Sequence, residues 1–396
     1  MKVVGIIAEY NPFHLGHKYQ IDKIREIYGD DTAIVAVMSG NLTQRGEVAI
    51  FDKGDRAKAA VMCGVNLVLE LPFPYCCSGA EYFARAGIGI LDALKVVDIL
   101  SFGSECADIS KLEEAASILE SAALPRSETH DAKGYAERCE ELYNSKTENG
   151  EGIFSPNNIL GIEYIKAIKA LDSSIIPTTT KRKGDGYLSG NIESSFASAM
   201  AIRAKLMRKD GSALDYIPKE AKNIFLSVLQ EGRAPCSAER LDAAIISSLR
   251  LNTSESNAKK IHDADGGLYN RILTASLNAN SISSLIELAK TKKYTTARIR
   301  RAVWYAYFGV TSSEVKSRPT YTQILAMDTV GAALLKRIKK LSDFPVLTKP
   351  SAHEALSPDA LKAKKSADRA DSVLQLTKPC FVRGDEGLRF SPFVKK

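Results

Sequence analysis

Apolar and polar residues form two kinds of block along the first half of the chain. Short continuous apolar runs are typical of strands buried on both faces of a parallel sheet, and apolar residues at helical spacing indicate helices that cover it. The runs predict strands at residues 3–8, 32–38, 66–71 and 96–102, and a fifth strand is predicted at residues 175–180. The helical patterns predict a first helix with an apolar stripe of Ile21, Ile24, Ile27 and Tyr28, a second that Asp52 or Asp55 caps and that ends at Gly64, and others at residues 81–94, 109–119, 158–171 and 195–206. This alternation predicts an α/β fold with a doubly wound parallel sheet over residues 1–205.

The second half has a different pattern. Its apolar residues recur almost entirely at helical spacing, so residues 206–396 are predicted to form a mostly α-helical domain. The predicted helices are at residues 220–230, 237–251, 281–290, 296–308 and 321–341. Within the first half, residues 124–155 are polar and charged and are interpreted as an insertion or a mobile segment.

The two halves also differ in net charge, and this difference is clearer than the difference in hydrophobic pattern. Residues 1–205 hold 22 Lys and Arg against 28 Asp and Glu, whereas residues 206–396 hold 32 against 19, which gives the overall charge of +7. A basic domain on an enzyme favours a polyanionic substrate such as nucleic acid, although a solvated surface without a partner gives the same count. The densest basic stretch contains Lys292, Lys293, Arg298 and Arg301, which we predict to hold a tRNA backbone. The single tryptophan, Trp304, follows it and is interpreted as a core residue rather than a base-stacking one.

Composition limits the compartment and the cofactors. The seven cysteines form no C-x-x-C pair and have no metal-ligand spacing, which predicts reduced thiols in a cytoplasmic protein without a protein-held metal site. Lys2 leads directly into the first predicted strand, so no signal peptide is expected. No apolar run is long enough to span a bilayer, so no membrane partner is expected either. Nothing in the sequence indicates an oligomeric state.

Two histidines mark the point where the first strand ends and the first helix begins. Asn11-Pro12 stops the strand, and His14 and His17 lie three residues apart in the following turn. Both imidazoles therefore reach one phosphate group, where they would neutralise the charge that builds up during in-line attack on phosphorus. Gly16 between them is interpreted as room for close approach of a nucleotide. A structural histidine pair or half of a metal site is the alternative.

The segment from Asn11 to His17 resembles the H-x-G-H signature of the nucleotidyltransferase superfamily, which has a Rossmann-like sheet. Further segments at residues 36–47, 69–72, 101–105 and 156–161 resemble the tRNA(Met) cytidine acetate ligases. This resemblance is specific over about the first 205 residues and looser beyond them. It implies an ATP-dependent ligase that activates acetate as acetyl-adenylate and transfers the acetyl group to the exocyclic amine of the wobble cytidine of elongator tRNA(Met), giving N4-acetylcytidine. ATP, Mg²⁺, acetate and this tRNA are the implied cofactors and partners.

The same resemblance assigns catalysis to His14 and His17 and nucleotide binding to a larger set. That set comprises Ile7, Ala8, Glu9, Tyr10, Asn11, Pro12, Phe13, His14, Leu15, Gly16, His17, Lys18, Tyr19, Gln20, Gly103, Asn157, Arg182, Ser198 and Arg203. Ordinary alternatives remain for several members: a tight turn at Gly103, a helix cap at Asn157 or Ser198, and a solvated loop charge at Arg182. The segment from Ser198 to Arg203 resembles the second superfamily motif, I-S-S-T-x-I-R. Because Ala199 and Met200 replace its second serine and its threonine, two phosphate donors are missing, and Arg203 is expected to carry more of the contact, together with Mg²⁺.

A second function stays open at this point. The H-x-G-H chemistry also serves nucleotidyltransferases that adenylylate a small phosphorylated metabolite. A non-catalytic RNA-binding protein is a third and weaker interpretation. The basic second half favours a nucleic-acid substrate over a metabolite, and the intact histidine pair favours an enzyme over a binding protein.

Overall fold

We describe the fold from a computed structural model, which covers residues 1–122, 135–147, 152–182, 197–251 and 260–396. Over these residues, eight strands form one sheet in the order β5-β4-β1-β2-β3-β6-β7, with β8 paired to β6. The strands are β1 (Val3–Ala8), β2 (Ala33–Ser39), β3 (Leu67–Leu71), β4 (Ile99–Ser104), β5 (Ile176–Lys181), β6 (Thr322–Met327), β7 (Val346–Leu347) and β8 (Phe393–Val394). The five strands from the first half are parallel, which confirms the predicted doubly wound α/β sheet.

Helices pack on both faces of this sheet and in a layer beyond it. In the first half they are α1 (Leu15–Tyr28), α2 (Lys53–Met62), α3 (Ala80–Ala93), α4 (Ile109–Ser121), α5 (Tyr135–Asn144), α6 (Pro156–Ala170) and α7 (Ala199–Met207). In the second half they are α8 (Lys219–Gln230), α9 (Asp242–Leu251), α10 (Leu268–Asn278), α11 (Ile282–Ala289), α12 (Thr296–Phe308), α13 (Ser312–Lys316), α14 (Thr329–Leu341) and α15 (Pro358–Leu374). No helix in the described ranges is long and apolar enough to cross a bilayer.

The strand order places a crevice next to β1. From β1 the chain moves to β2 and β3 on one side, and then to β4 and β5 on the other. β1 is paired with β2 along all six residues but with β4 only at Val4 and Gly5, so β1 and β4 separate toward their carboxyl ends. In open α/β sheets, ligands bind at such a switch point. The histidines follow β1 directly and therefore lie at this crevice.

The second half corrects one part of the prediction. Residues 321–341 were predicted to be one helix, but Thr322–Met327 is the strand β6, which runs antiparallel to β3, and only Thr329–Leu341 is helical. The helix begins there because Asp328 caps it, accepting a hydrogen bond from the Gly331 amide at 2.9 Å. The segment 206–396 therefore supplies three strands to the sheet as well as helices. The functional division at residue 205 stays a prediction.

Two other predicted segments differ in detail. The segment 124–155 is only partly described, and within it Tyr135–Asn144 is a helix whose Cys139 and Tyr143 are buried. The predicted helix at 195–206 begins at Ala199, and residues 195–196 lie outside the described ranges. The helices α10, α13 and α15 were not predicted.

A buried ion network joins the two halves. The Lys53 ammonium lies 2.7 Å from the Glu70 carboxylate at the end of β3 and also contacts Asp371 of α15. Burial opposes the charge on Lys53, but these two carboxylates raise its pKa above the ordinary value. Because a buried charge is stable only when paired, α15 is tied to the edge of the first-half sheet.

Candidate nucleotide site at the carboxyl edge of the sheet

His14 and His17 cap the helix that follows β1, and each uses the same ring atom to do so. His14 is the N-cap residue of α1, and its Nδ1 accepts a hydrogen bond from the Gly16 amide at 3.0 Å. Nδ1 of His17 accepts one from the His14 amide at 3.2 Å. An acceptor nitrogen carries no proton, so each neutral ring bears its hydrogen on Nε2. The rings are stacked with their centroids 3.8 Å apart, so the two Nε2–H donors are held side by side.

The surroundings keep both rings neutral. Burial lowers the pKa of His14 to about 3, and the positive charges of Arg182 and Arg203 act in the same direction. Burial also lowers the pKa of His17 well below its ordinary value, with His14 and Arg182 contributing. The sequence suggested charge neutralisation by the imidazoles. The structure instead presents neutral hydrogen-bond donors, which stabilise developing negative charge without carrying a positive one.

The residues around this pair mostly fix its position. Tyr10 and Phe13 are buried, and their ring centroids lie 4.9 and 5.4 Å from that of His17. Between them, Asn11 and Pro12 are joined by a cis peptide bond. A Cβ atom at Gly16 would lie 2.8 Å from Cε1 of His14. The capping ring of His14 therefore needs a glycine at position 16, whether or not a nucleotide also approaches there.

Three predicted residues from distant segments meet on the β4 side of the crevice. Arg182 Nη1 donates to the Asn157 side-chain oxygen at 3.4 Å, and a Cβ at Gly103 would lie 3.0 Å from Cγ of Arg182. Glu105 holds Asn157 in place, because its Oε1 accepts from the Asn157 amide at 2.5 Å. Asn157 is not the cap of α6, since that helix begins at Pro156 with Ser155 as N-cap.

Arg203 and Ser198 lie on the opposite side, on α7. Arg203 donates from Nη1 to the Asn11 carbonyl at 3.0 Å and from Nη2 to Glu47 at 2.9 Å. Ser198 is the N-cap of α7, and its hydroxyl accepts from the Ala201 amide at 3.2 Å. The alternative interpretation of Ser198 as a cap is therefore confirmed, and no phosphate contact is needed to explain it.

The other predicted nucleotide-binding residues line β1 or the first turns of α1. Glu9 is a carboxylate whose burial raises its pKa, while a hydrogen bond from the Gln44 amide at 2.8 Å opposes the rise. Gln20 reaches the carbonyl of Ser101 on β4 at 3.1 Å and so spans the crevice. Lys18 forms an ion pair with Asp22. The half-buried remainder of the set comprises Ile7, Ala8, Leu15 and Tyr19.

This donor set fits a nucleotide. The carboxyl end of β1 is surrounded by hydrogen-bond donors and positive charge, namely two uncharged Nε2–H groups, the N-terminus of α1, Arg182 and Arg203. Phosphate oxygens bind to groups of these kinds. In the described part of the chain, no group of three or more His, Cys, Asp or Glu residues is arranged to hold a metal ion.

Comparisons with known proteins agree with this geometry. The family model for HIGH Nucleotidyl Transferase matches residues 1–384. The tRNA(Met) cytidine acetate ligase of Thermoanaerobacter sp. (strain X514) is 38% identical over 367 residues, which cover 89% of this chain and 90% of the relative. That of Caldanaerobacter subterraneus subsp. tengcongensis is 38% identical over 371 residues, covering 91% and 92%. The chain belongs to the tRNA(Met) cytidine acetate ligase family.

Solved structures extend the likeness to the whole fold. A crystal structure of Thermotoga maritima TmcAL bound with alpha-thio ATP superimposes with a TM-score of 0.89 at 30% identity, covering 100% of this chain and 99% of that one. The apo form superimposes with a TM-score of 0.90 at 29% identity, covering 100% of both chains. Membership in this family makes the protein an ATP-dependent ligase with a Rossmann-like sheet.

The basic stretch proposed for tRNA is divided by the fold. Lys292 is exposed, and Lys293 is half-buried and donates to the Gly266 carbonyl at 3.2 Å. Arg298 pairs with Asp265, whereas Arg301 is buried and donates to Asp263 at 2.6 Å. Because Arg301 is buried, its role is structural. The prediction of a phosphate contact therefore rests on Lys292, Lys293 and Arg298.

The aromatic residues after this stretch belong to the core. Trp304 is 3% exposed and donates from Nε1 to the Gly46 carbonyl at 2.9 Å, as the core interpretation predicted. Tyr305 is fully buried and bonds to the Cys77 carbonyl, so it is not available to stack on a base.

Sequence reasoning missed three residues that organise the site: Glu47, Glu105 and Arg300. Glu105 links Asn157 to the N-terminus of α6, where its Oε2 accepts from the Asn158 amide at 3.1 Å. Glu47 accepts from both Arg203 and Arg300, at 2.9 and 2.8 Å. Glu47 and Glu105 lie within segments that carry the family resemblance, which was the available signal, but their partners are more than 50 residues away in sequence.

Proposed function

We propose that this protein activates acetate with ATP and transfers the acetyl group to the exocyclic N4 amine of the wobble cytidine of elongator tRNA(Met), giving N4-acetylcytidine. The observation that carries the proposal is the stacked pair of imidazoles at the switch point of the sheet, whose Nδ1 atoms both accept from backbone amides and whose Nε2 atoms are left to donate. The related tRNA(Met) cytidine acetate ligases supply the substrate class.

In the first step, an acetate oxygen attacks the α-phosphorus of ATP, and pyrophosphate leaves. His14 and His17 donate from Nε2 to the α-phosphate oxygens, where negative charge increases in the transition state. Arg182 and Arg203 approach from opposite sides of the crevice and provide the positive charge that the imidazoles lack. Mg²⁺ would be held chiefly by the phosphate oxygens of ATP, whose negative charge it would help to neutralise.

In the second step, the N4 amine attacks the acetyl carbonyl. The new C–N bond replaces the C–O bond to AMP, AMP leaves with the electron pair, and one amine proton is released. The wobble base lies in a single-stranded loop, so it can enter the crevice without the melting of a helix. This chemistry belongs in the cytoplasm, where ATP, acetate and tRNA meet.

The test incubates the full chain with ATP, labelled acetate and total tRNA, followed by nucleoside analysis. Label in N4-acetylcytidine is the expected result. Acetate-dependent exchange of pyrophosphate into ATP should occur without tRNA, because all the residues assigned to the first step belong to the protein itself and none comes from the tRNA. Label absent from every nucleoside, with adenylyl transfer to a phosphorylated metabolite instead, would contradict the proposal.

A further inference from the structure

A cavity of about 470 Å³ lies between the loop at residues 46–50 and the helices α7, α11 and α12, and Arg203 is one of its lining residues. Its size is within the range of about 300–1,000 Å³ that is typical of small-molecule sites. Met200 and Met207 line it from α7, and Ile282 and Ile286 line it from α11. The two methionines are 38% and 44% exposed, so their side chains border open space rather than the core. The cavity therefore offers apolar surfaces on two sides.

One carboxylate is held rigidly at the wall of this cavity. Glu47 Oε2 accepts from Arg203 at 2.9 Å and Oε1 from Arg300 at 2.8 Å, and the side chain remains 29% exposed. Its loop is fixed as well, because Gly46 has φ 72° and a Cβ there would lie 2.8 Å from Cβ of Arg300. A carboxylate has about four acceptor positions, so each Glu47 oxygen keeps one for a ligand.

Arg203 connects this cavity to the nucleotide site. The same guanidinium that holds Glu47 donates to the Asn11 carbonyl, three residues before His14. Its charge also acts on His14, whose pKa it helps to lower. A group bound in the cavity next to Glu47 is therefore adjacent to the place where the α-phosphate and its acyl group would lie.

The chemistry of the cavity matches a cytosine ring. Flipped bases are held between apolar or aromatic side chains and recognised by hydrogen bonds to the Watson–Crick edge, and glutamate is the usual acceptor for the cytosine N4 amine. We propose that this cavity receives the target cytidine and that Glu47 accepts a hydrogen bond from its N4 amine. This inference rests on the proposed function and adds a residue that orients the attacking amine and distinguishes cytosine from uracil. Uracil carries an oxygen at that position, which a carboxylate repels.

The first experiment fills the cavity without disturbing the core. Ser283 is exposed, lines the cavity and takes no part in the cap of α11, so Ser283→Trp adds bulk inside the cavity and Ser283→Ala is the matched control. We expect Ser283→Trp to reduce tRNA acetylation at least tenfold while acetate-dependent pyrophosphate exchange stays within about twofold of the parent. Ser283→Ala should retain both activities. Parental acetylation by Ser283→Trp would overturn the proposal.

The second experiment locates the base without measuring activity. A tRNA carrying 5-iodocytidine at the target position, a photoreactive base that keeps the N4 amine, is bound to the full chain, irradiated and digested, and the cross-linked peptide is identified. A cross-link within residues 46–50, 197–207 or 282–287, which contain cavity-lining residues, is expected, and a cross-link elsewhere overturns the inference. If the parent acetylates tRNA but the cross-link maps elsewhere, only this inference fails. If the parent does not acetylate tRNA at all, the proposed function fails.

The third experiment examines Glu47 itself. Glu47→Gln keeps the size of the side chain and one acceptor oxygen but loses the negative charge, and Glu287→Gln, on another wall of the cavity, is the control. The rate of transfer from preformed acetyl-adenylate should fall at least tenfold more than the rate of adenylate formation. The ratio of affinities for tRNAs with cytidine and with uridine at the target position should also fall, as measured by competitive binding, because uridine has no N4 amine to acetylate. Equal losses in both steps, or unchanged discrimination, would contradict the assigned role.

Discussion

At the scale of single residues, His14 and His17 each have two tasks that use different atoms of one ring. Nδ1 accepts from the backbone and starts the helix, while Nε2 is left to donate toward the crevice. The two tasks are linked, because an acceptor bond at Nδ1 selects the tautomer that bears its proton on Nε2. The helix start therefore determines the protonation pattern that the phosphate chemistry needs.

This division can be tested by replacing His14 with two different residues. Asparagine places an oxygen near the position of Nδ1 and is a favoured N-cap, whereas alanine removes both functions. His14→Asn should keep the stability of the parent within about 0.5 kcal/mol, and His14→Ala should lose about 1 kcal/mol. Both should reduce acetate-dependent pyrophosphate exchange by about a hundredfold or more, because both lack the Nε2–H donor. Exchange by His14→Asn at the parental rate would show that the Nε2 donor is not needed.

The depressed pKa of His14 predicts a specific dependence of stability on pH. Burial disfavours the charged ring in the folded state, so between pH 6.5 and about 3 the unfolded chain binds a proton that the folded chain does not. The free energy of unfolding should therefore fall as the pH falls through this window, by up to about 1.4 kcal/mol per pH unit for this one group. Urea titrations of the parent and of His14→Asn at pH 7 and pH 5 measure it. The variant should lose about 2 kcal/mol less between these pH values. Equal losses would mean that His14 is charged in the folded protein.

The sequence was sufficient to place the two histidines but not to explain them. A strand followed by Asn11-Pro12 and a helical pattern indicated the switch point, because these signals are local. The capping role was not predictable, since histidine is not a preferred cap residue. Gly16 was assigned to the nucleotide, although the nearest obstacle to a side chain there is the His14 ring. Arg301 is indistinguishable from Arg298 in a basic stretch, and only the three-dimensional position of Asp263 shows that it is buried.

At the scale of elements, the strand β6 shows where periodicity misleads. Its residues merge with the helical pattern of α14, so the two together resemble one long helix. The cap Asp328 was the only local sign of the boundary, and it also accepts from the Asn66 side chain at 2.8 Å. Pairing with β3 is a contact between residues about 255 positions apart, and no local pattern predicts it. The five parallel strands, in contrast, were predicted within a few residues, and the first four of them are largely apolar runs.

The junction between β6 and α14 depends on a glycine. A Cβ at Gly331 would lie 2.1 Å from the Asn66 carbonyl oxygen, which is backbone and cannot move independently. Gly331→Ala should therefore destabilise the protein by about 1–3 kcal/mol, as overpacking does. Gly211 has nothing within 4 Å of its Cβ position, so Gly211→Ala is the matched control and should be neutral or slightly stabilising. Urea unfolding of both variants measures the difference. Equal stabilities for the two would show that α14 moves away from β3 without cost.

At the scale of the whole molecule, the two halves cannot be treated as separable modules. β6 pairs with β3, and Lys53 of the first half is neutralised partly by Asp371 of the second. A fragment ending at residue 205 would expose the edge of β3 and leave the Lys53 charge without one of its partners, which is strongly destabilising. Tests that separate acetate activation from acetyl transfer therefore need the full chain and variants that affect one step only.

Surface lysines offer such a separation for the tRNA. Lys292 is exposed and Lys293 is half-buried just before α12. The ion pairs of Arg298 with Asp265 and of Arg301 with Asp263 do not include them, so their removal should leave the core in place. Phosphate contacts by lysine release counterions, so each lost contact reduces the slope of log affinity against log salt by about 0.7–0.9. The double variant Lys292→Ala/Lys293→Ala should raise the KM for tRNA. If both lysines contact phosphates, it should also reduce the magnitude of this slope by about 1.4–1.8. Acetate-dependent pyrophosphate exchange should remain parental.

The matched control removes the same charge from a different part of the surface. Lys339 and Lys340 are exposed on α14, and Lys339→Ala/Lys340→Ala changes the net charge of the protein by an equal amount. If the tRNA contacts the start of α12, only the first double variant changes the salt slope. If general attraction to a basic surface dominates, both variants change it equally, because long-range steering depends on total charge. An unchanged slope in the first variant would assign the tRNA to another face of the protein, since lost phosphate contacts must appear in the salt dependence.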